Sequence, residues 1–557
     1  MTSSSSGPLL IDIDDDCDSP LAPHDVLRPQ KRFKNGGANV RSGPSSYEAI
    51  FDWPSEGKRV GQDYIAASQL EEQAGQFFTK KIYVTTTYAG AQTVEHVCYC
   101  IKAEYGLSDD AVIFWSSTDN SPLCMRLALN SKRPPVHVFN DITERVPKNV
   151  LKKMEFVRAT LFKRFEEQLE NTQMNAKQRR HLLDQLGYRC RQKLRKELRA
   201  IACSRDLKAY CHKHRTMCHI WPQDMREDDV HVEAGGNTCV GFSPQGSQLR
   251  WLDDSAVPCA IWLFMAELAA PDVLLDECSH HFNTKQVLDE FFPDSKGWKV
   301  SVIMLAPTDV GLPYTRPRNF ALVYNHKWKS LIPLDYNTFM SIMGSRPRLT
   351  GHIFFRDLPT CQQNWAEEQL ARRKIVPPTT VPKQIDPDSV LTPGSRARLK
   401  VYKSARDGMQ LPLAFSPVMD LSQNQTVRGS FSDNLSSLLC KSEPFSMSAN
   451  RGMAKLEAWG VQAFPHPRLL EGTTSERAEQ FPFDCAVTDA LTYAEVWGLM
   501  GNAMNARVVG LFLLFSLLFA CPVEEIQPSI AEATEAKADA SHSEEQLDVL
   551  DVARSQL

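Results

Sequence analysis

Long apolar runs are nearly missing from this chain of 557 residues. The longest, VVGLFLLFSLLFACPV (Val508–Val523), has about 16 residues against the ~20 that a helix needs to cross a bilayer. It reads as a buried helix, and no membrane is expected among the partners. An excess of charge of one sign is missing too. Lys and Arg number 63 against 67 Asp and Glu, a formal net charge of -4, so any surface for a polyanion must be local. The 15 cysteines are scattered and odd in number. The opening MTSSSSGPLLIDIDDDCDSP is polar and then acidic, unlike a secretory leader. Free thiols in a reducing compartment are therefore expected rather than a disulfide framework. No internal repeat and no chromatin-reading module is recognisable.

What is present is an ordinary globular balance, 42% hydrophobic and 23% charged. Residues 1–45 are rich in Ser, Pro, Gly and Asp and read as disordered. Within them RPQKRFK (Arg28–Lys34) reads as surface charge, with a nuclear address as the competing reading. From about 80 a strand–helix rhythm begins. KKIYVTTTYAG, AVIFWSSTD and PPVHVFNDI read as strands, separated by the helical QTVEHVCYCIKAEYG and SPLCMRLALNS. Such alternation argues for a parallel sheet wrapped by helices. Residues 147–218 break the rhythm with a long, proline-poor, locally basic stretch that reads as helical. DVHVEAG, PDVLLDE and WKVSVIML then resume it, so the basic block reads as an insertion between two strands.

The insertion ends in CSRDLKAYCHKHRTMCH (Cys203–His219), with three cysteines and three histidines. Spacing of this kind could hold zinc, but a C-x-x-C pair is lacking. The reading adopted is a basic helix end with thiols facing a core, and no metal is assigned. Beyond about 345 the alternation fades. KIVPPTTVPKQIDPDSVLTPGS reads as a linker, RARLKVYKSAR (Arg396–Arg406) as a second basic patch, and the acidic tail after Val523 as disordered or loosely helical.

Ligands of open α/β sheets bind at the carboxyl ends of the strands. The residues expected there are Tyr88 and Gly90, then Asp119, Asp141, Cys239 in GGNTCVGFSPQG, and Glu277, followed by Arg316 and Arg318 in GLPYTRPRNF. Each is weak evidence alone, since a strand-end aspartate often only caps the next helix.

Together they resemble, in order, the motifs of the S-adenosylmethionine-dependent cytosine-5 methyltransferases. TYAGAQ resembles the F-x-G-x-G cofactor motif, WSSTDNSP the second and FNDI the third. GGNTCVGFSPQG is similar to the P-C-Q-x-F-S-x-x-G nucleophile loop, DEC to E-N-V, and GLPYTRPRNF to Q-x-R-x-R. RGMAKLEAWGVQAFP resembles the ninth motif, and MGNAMNARVVG (Met500–Gly510) the last. The resemblance covers roughly residues 80–145 and 230–522. The nucleophile loop, with RWLDDSAVPCAIW after it, looks like that of unicellular-algal members.

The resemblance implies a Rossmann-like methyltransferase sheet with helices on both faces, interrupted by the basic helical insertion 147–218 within a catalytic domain 80–345. A smaller target recognition region would follow at 346–490. Residues 491–522 would return to complete the catalytic domain. It also implies S-adenosylmethionine as cofactor, a cytosine-containing DNA duplex as partner and, with DNA, the nucleus. Cys239 would attack C6 of a flipped cytosine, Glu277 would serve N3, and Arg316 and Arg318 would hold the base carbonyl and the Glu277 carboxylate. Tyr88, Gly90, Asp119, Asp141 and Asn502 would contact the cofactor, and Ser243 a phosphate.

The chain also departs from the pattern. Thr238 and Val240 flank the cysteine in place of Pro and Gln, Gln92 replaces a glycine, and Ser117 replaces the ribose-binding Glu. Cys278 and Tyr314 replace an Asn and a Gln. The cysteine, the glutamate and both arginines survive, and the cofactor end is the more altered. Two rivals follow: an RNA methyltransferase, whose Cys-Phe-Thr tripeptide is absent here, and a non-catalytic DNA-binding homologue.

Overall fold

The computed structural model describes residues 40–201, 206–236, 240–243, 246–375, 386–408, 417–422, 432–470 and 476–523. The basic cluster at 28–34, residues 376–385 of the linker at 374–395 and the acidic tail beyond 523 lie outside these residues, and the described end of that linker carries a short helix, Pro387–Val390.

A nine-stranded sheet organises the chain. Its strands are β1 Ile82–Thr87, β2 Val112–Thr118, β3 His137–Phe139, β4 Lys208–Cys211, β5 Thr216–His219, β6 Val230–Gly236, β7 Val273–Ser279, β8 Lys299–Leu305 and β9 Arg318–Tyr324. The spatial order is β5-β4-β3-β2-β1-β6-β7-β9-β8. The neighbours β3-β2-β1-β6-β7 run parallel, while the β4–β5 hairpin adds antiparallel to β3. β9 inserts antiparallel between β7 and β8. The sheet is thus mixed rather than parallel throughout. The chain builds outward from β1 to β3, then returns to place β6 on the other side of β1. That reversal creates a switch point at the carboxyl ends of β1 and β6. Strand order, the reversed β9 between β7 and β8, and helices on both faces make this a Rossmann-like methyltransferase fold.

Alternation along the strands sorts side chains to the two faces. Leu275, Phe320, Leu322 and Tyr324 join one core. Leu274, Cys278, Ala321 and Val323 join the other. On the first face pack α1 (Trp53–Ala67), α2 (Thr93–Tyr105) and the late apolar run. That run is a helix, Ala506–Leu518, with all thirteen residues buried. It is a core helix of the sheet, consistent with its reading from sequence. On the second face lie α4 (Lys148–Asn171), α5 (Ala176–Arg199), α6 (Ala256–Ala269) and α7 (Thr284–Phe291). The β2–β3 crossover helix, α3 (Pro122–Leu129), packs on the first face through Cys124 and Leu127.

Two sequence boundaries shift. Arg41–Ser42 pairs as a strand with Ser345–Arg346, and Tyr47, Ile50 and Phe51 are buried, so folded chain begins before residue 45. The insertion is not helical to 218. Its helices end at Arg199, and the following segment is the β4–β5 hairpin, which extends the sheet from β3. Alternating burial along Lys208–Cys211 favours a half-buried strand there over a helix end.

The insertion's charge is partly spent within the molecule. α5 buries Leu183, Leu186, Cys190, Leu194 and Leu198 at helical spacing, an apolar stripe on the sheet's helices. Beside that stripe Arg191 forms a two-pronged pair with Glu290 of α7, and Arg195 pairs with Glu267 of α6. Both pairs are largely buried and fix how the hairpin docks.

After 345 the described residues include α8 (Pro359–Arg372), α9 (Pro393–Gly408) and α10 (Lys455–Val461). A small antiparallel sheet joins Val418–Asp420, Pro444–Ser446 and Arg451–Gly452. The ninth-motif segment is deeply set. Arg451 grips the fully buried Glu457 at 2.7 and 2.8 Å, and Gln462 donates to Met500 O at 2.6 Å.

Candidate functional site

A cavity of about 1180 Å³ opens at the switch point. Its walls are the carboxyl ends of β1, β2, β6 and β7, the segment before β9, and residues 498–504. This exceeds the volume that one small ligand needs.

The loop after β1 forms one wall. Tyr88, Gly90 and Gln92 all take left-handed conformations, with φ of 57°, 55° and 58°. For Tyr88 and Gln92 this costs on the order of 1–2 kcal/mol each. The glycine that the family pattern places at position 92 is thereby explained: the site demands a positive φ, and Gln92 adopts it under strain. The Gly90 N–H donates to Asp119 Oδ2 at 2.9 Å, and the Ser121 N–H donates to Asp119 Oδ1 at 2.9 Å. Asp119 therefore ties the β1 loop to the start of α3, while Ser121 caps that helix. Burial raises the Asp119 carboxyl above its usual range, against the two N–H groups that lower it. A Cβ on Gly90 would meet only Tyr88 O, at 3.9 Å, so the space over the loop is open.

The Tyr88 hydroxyl and Gln92 Nε2 of this loop are buried without a hydrogen-bond partner among the described residues, and Gln92 does not line the cavity. Burial pushes the Tyr88 phenol well above its ordinary value. Behind the loop, Glu95 lines the cavity from the first turn of α2 and accepts from the Thr86 hydroxyl at 2.5 Å. Burial drives its carboxyl up to about 7. Nothing in the motif pattern marks Glu95; only the fold brings a helix's first turn under the β1 loop.

Glu277, near the end of β7, forms the opposite wall and is 7% exposed. Arg318 Nε lies 3.1 Å from Glu277 Oε1, across the β7–β9 pairing. Arg316 also lines the cavity, but its guanidinium donates to Leu438 O at 2.8 Å and Gly501 O at 3.0 Å. The two arginines thus differ. Arg318 holds the carboxylate, while Arg316 ties the segment at Leu438 and the 493–502 helix to the sheet.

The loop after β6 closes the floor. Gly235 presses on Trp262, whose ring atoms would lie 2.4 Å from a Cβ there. Cys239 lies outside the described residues. The described residues to either side of it, Gly236 and Val240, both line the cavity, as does Ser243. Phe242 anchors the loop edge-on to Phe282 at 4.7 Å. Asn502, exposed at the end of helix Tyr493–Asn502, lines the cavity and accepts from Cys440 Sγ at 3.3 Å.

Of the residues expected from sequence, Tyr88, Gly90, Asp119, Glu277, Arg316, Arg318 and Asn502 share this one cavity. Asp141 does not line it. It caps the short turn Ile142–Arg145, accepting from Thr143 N at 2.9 Å, although its charge reaches the Tyr88 phenol. Ser422, Cys440, Lys441 and Met504 line the cavity without having been expected. Ser422, Cys440 and Lys441 come from segments whose sequence carries no motif, and only chain return places them there, whereas Met504 lies within the last motif.

No family model and no curated protein matches the chain. Among solved structures it is similar to a Spodoptera frugiperda DNMT2 variant, with 10% identity over 79% of this chain and 100% of that one and a TM-score of 0.35. It is similar to the Dnmt2 methyltransferase of S. pombe at 12% identity, 79% and 98% coverage and a TM-score of 0.35. A DNA modification methyltransferase of an E. coli prophage gives 12%, 79% and 99%, and 0.34. None of these is algal, so the algal flavour of the loop has no support. Likeness at this level says nothing about chemistry, and the fold rests on the strand order described above.

Proposed function

We propose that this chain is a cytosine-5 methyltransferase acting on DNA through a covalent intermediate on Cys239. One observation carries the reading. The Glu277–Arg318 pair faces the same switch-point cavity as the strained Tyr88–Gln92 loop with its Asp119 tether. On this reading a base site and a cofactor site would share one space.

The cofactor wall suits S-adenosylmethionine. It offers an open surface over Gly90 and carboxyl groups at Asp119 and Glu95. Tyr88, Gly90, Asp119 and Asn502 would hold it, with Asp141 nearby. When bound, S-adenosylmethionine supplies an electrophilic methyl group. The Cys239 thiolate would form a bond to C6 of an extruded cytosine, sending the C5–C6 π electrons toward C5 and the ring's N3 side. Glu277 would meet that charge with a hydrogen bond or proton at N3. Arg318 keeps the carboxylate aimed and supplies fixed positive charge in a water-poor site. Once C5 carries the methyl, loss of its proton would restore the double bond and break the S–C6 bond.

Contact with DNA is proposed at two places. Lys441 lines the cavity. α9 carries the exposed Lys400 and Lys403, and its Arg398 donates to Leu421 O, next to the cavity-lining Ser422. Such cations would track a phosphate backbone and make binding salt-dependent. A nuclear location follows only from the substrate.

The test is transfer of labelled methyl groups from S-adenosylmethionine to duplex DNA and, in parallel, to RNA. Label recovered as 5-methylcytosine in DNA, and lost in Cys239→Ala, is the expected result. Label in RNA alone would replace the substrate. Tight cofactor binding without transfer to either would leave the non-catalytic reading.

A further inference from the structure

At the far edge of the sheet, away from the cavity, four side chains converge: His137 of β3, Cys211 of β4, His214 of the β4–β5 turn and Cys218 of β5. One potential ligand atom from each lies within 4.8 Å of all the others. The hairpin register explains how. Ala209 pairs with Cys218 and Phe139 with Cys211. Cys211 is two residues from Ala209, so the two cysteines share a face on a diagonal. The turn at His212–Arg215, with Arg215 left-handed, curls His214 over them.

We propose that this quartet is a structural zinc site that fastens the end of the helical insertion to the edge of the sheet. Three observations converge. First, the Sγ atoms of Cys211 and Cys218 each lie 3.6 Å from the same atom, His214 Nδ1. One ring nitrogen has either one proton or one lone pair, so it cannot make a full hydrogen bond to both thiols. A shared central ion removes the conflict. With Zn–S near 2.3 Å and Zn–N near 2.0–2.1 Å, the S···N edge of a tetrahedron is about 3.6 Å. Second, His137 is 8% exposed, and its Nδ1 is buried with no hydrogen-bond partner among the described residues. Its ring lies 5.0 Å from that of His214 and edge-on to Trp115 at 4.8 Å, which limits its rotation. Third, two thiolates and two imidazoles form the donor set that selects zinc over hard oxygen-seeking cations.

Four protein donors leave no open position, so the site is structural rather than catalytic. Its place in the fold gives it a task. β3 is only three residues long, and the β4–β5 hairpin meets it through a single paired rung, Phe139 with Cys211. Zinc would join all three strands there, just before the chain reaches Asn140 and Asp141.

The experiment is metal analysis of the tag-free full chain purified from zinc-supplied cells. One zinc per chain is expected, lost in Cys211→Ser and in Cys218→Ser and kept in Cys218→His and Cys485→Ser. Protein grown on cobalt should show the visible absorption of tetrahedral thiolate-bound Co²⁺, absent from Cys211→Ser. If the serine variants do not fold, the wild type still decides. Modifying its thiols in the presence of a chromogenic zinc indicator should release one equivalent. Protein without stoichiometric zinc, zinc retained in both folded serine variants, or a Cys211–Cys218 disulfide would overturn the proposal.

Discussion

The switch-point cavity and the Cys/His edge lie in one sheet, yet their residues are assembled in opposite ways. The cavity gathers strand ends that follow one another along the chain, each just after an apolar run. The edge joins a histidine of β3 to a hairpin beyond two long helices. The first kind of site is written in the order of motifs. The second is written in register, because two cysteines become diagonal neighbours only once a hairpin turns. A further contrast follows from what holds each place. The strained cavity loop is tethered by the Gly90 hydrogen bond to Asp119, whereas the edge has short strands and four donors around one point.

The contrast can be tested by breaking each region separately. The largest effect is expected from Cys239→Ala, which should remove methyl transfer by at least about 10³-fold while leaving zinc content unchanged. Single-turnover transfer and metal analysis on the same preparation check both halves. Next come the two arginines. Arg318→Ala leaves the buried Glu277 carboxylate without its partner and should lower kcat by about 10²-fold with the fold retained. Arg316→Ala should instead act mainly on stability, by about 2–4 kcal/mol, because two buried carbonyls lose their donor. Equal kcat losses with equal unfolding midpoints would erase the distinction drawn between them.

A smaller effect is expected at the edge. Removing zinc, or Cys211→Ser, should lower Tm by about 5 °C or more yet change S-adenosylmethionine affinity by less than about threefold. Loss of cofactor binding on chelation would show instead that the two regions are coupled through Asp141.

The smallest effect concerns Glu95, and it depends on pH. Burial raises its carboxyl from 4.5 to about 7. The folded chain therefore holds this proton more tightly than the unfolded chain does. Stability from this group is present below about pH 4.5 and is lost as pH rises to about 7. Glu95→Gln should then stabilise the chain at about pH 8 by on the order of 1–3 kcal/mol and change it little at about pH 5. Urea unfolding at the two pH values measures this, and an equal change at both would contradict it.

Much of the architecture was legible in the sequence for physical reasons. The β1 and β2 runs, the crossover helices between them and the late apolar helix have periodicities that burial enforces. The antiparallel insertion of β9 was not legible, since RNFALVY has the same apolar content whichever way it runs. Nor was the hairpin at 208–219, where alternation over four residues is drowned by the basic helices before it. In the cavity, Tyr88, Gly90, Asp119 and Glu277 were found because motif order marks strand ends. Asp141 was expected there and instead caps a turn, the ordinary fate of a strand-end aspartate. Lys441 was missed because its neighbours in space are distant in sequence, and Glu95 because a helix's first turn carries no motif.

The central claim is a covalent cysteine mechanism at the switch-point cavity. Its most direct test is to mix the protein with S-adenosylmethionine and duplex DNA containing 5-fluorocytosine, then look for an adduct that survives denaturation. Fluorine at C5 blocks the final elimination, so a working enzyme stays attached. The account predicts an adduct that requires the cofactor, disappears in Cys239→Ala and falls sharply in Arg318→Ala. An adduct that persists in Cys239→Ala, or none on any sequence context while the cofactor binds, would contradict it.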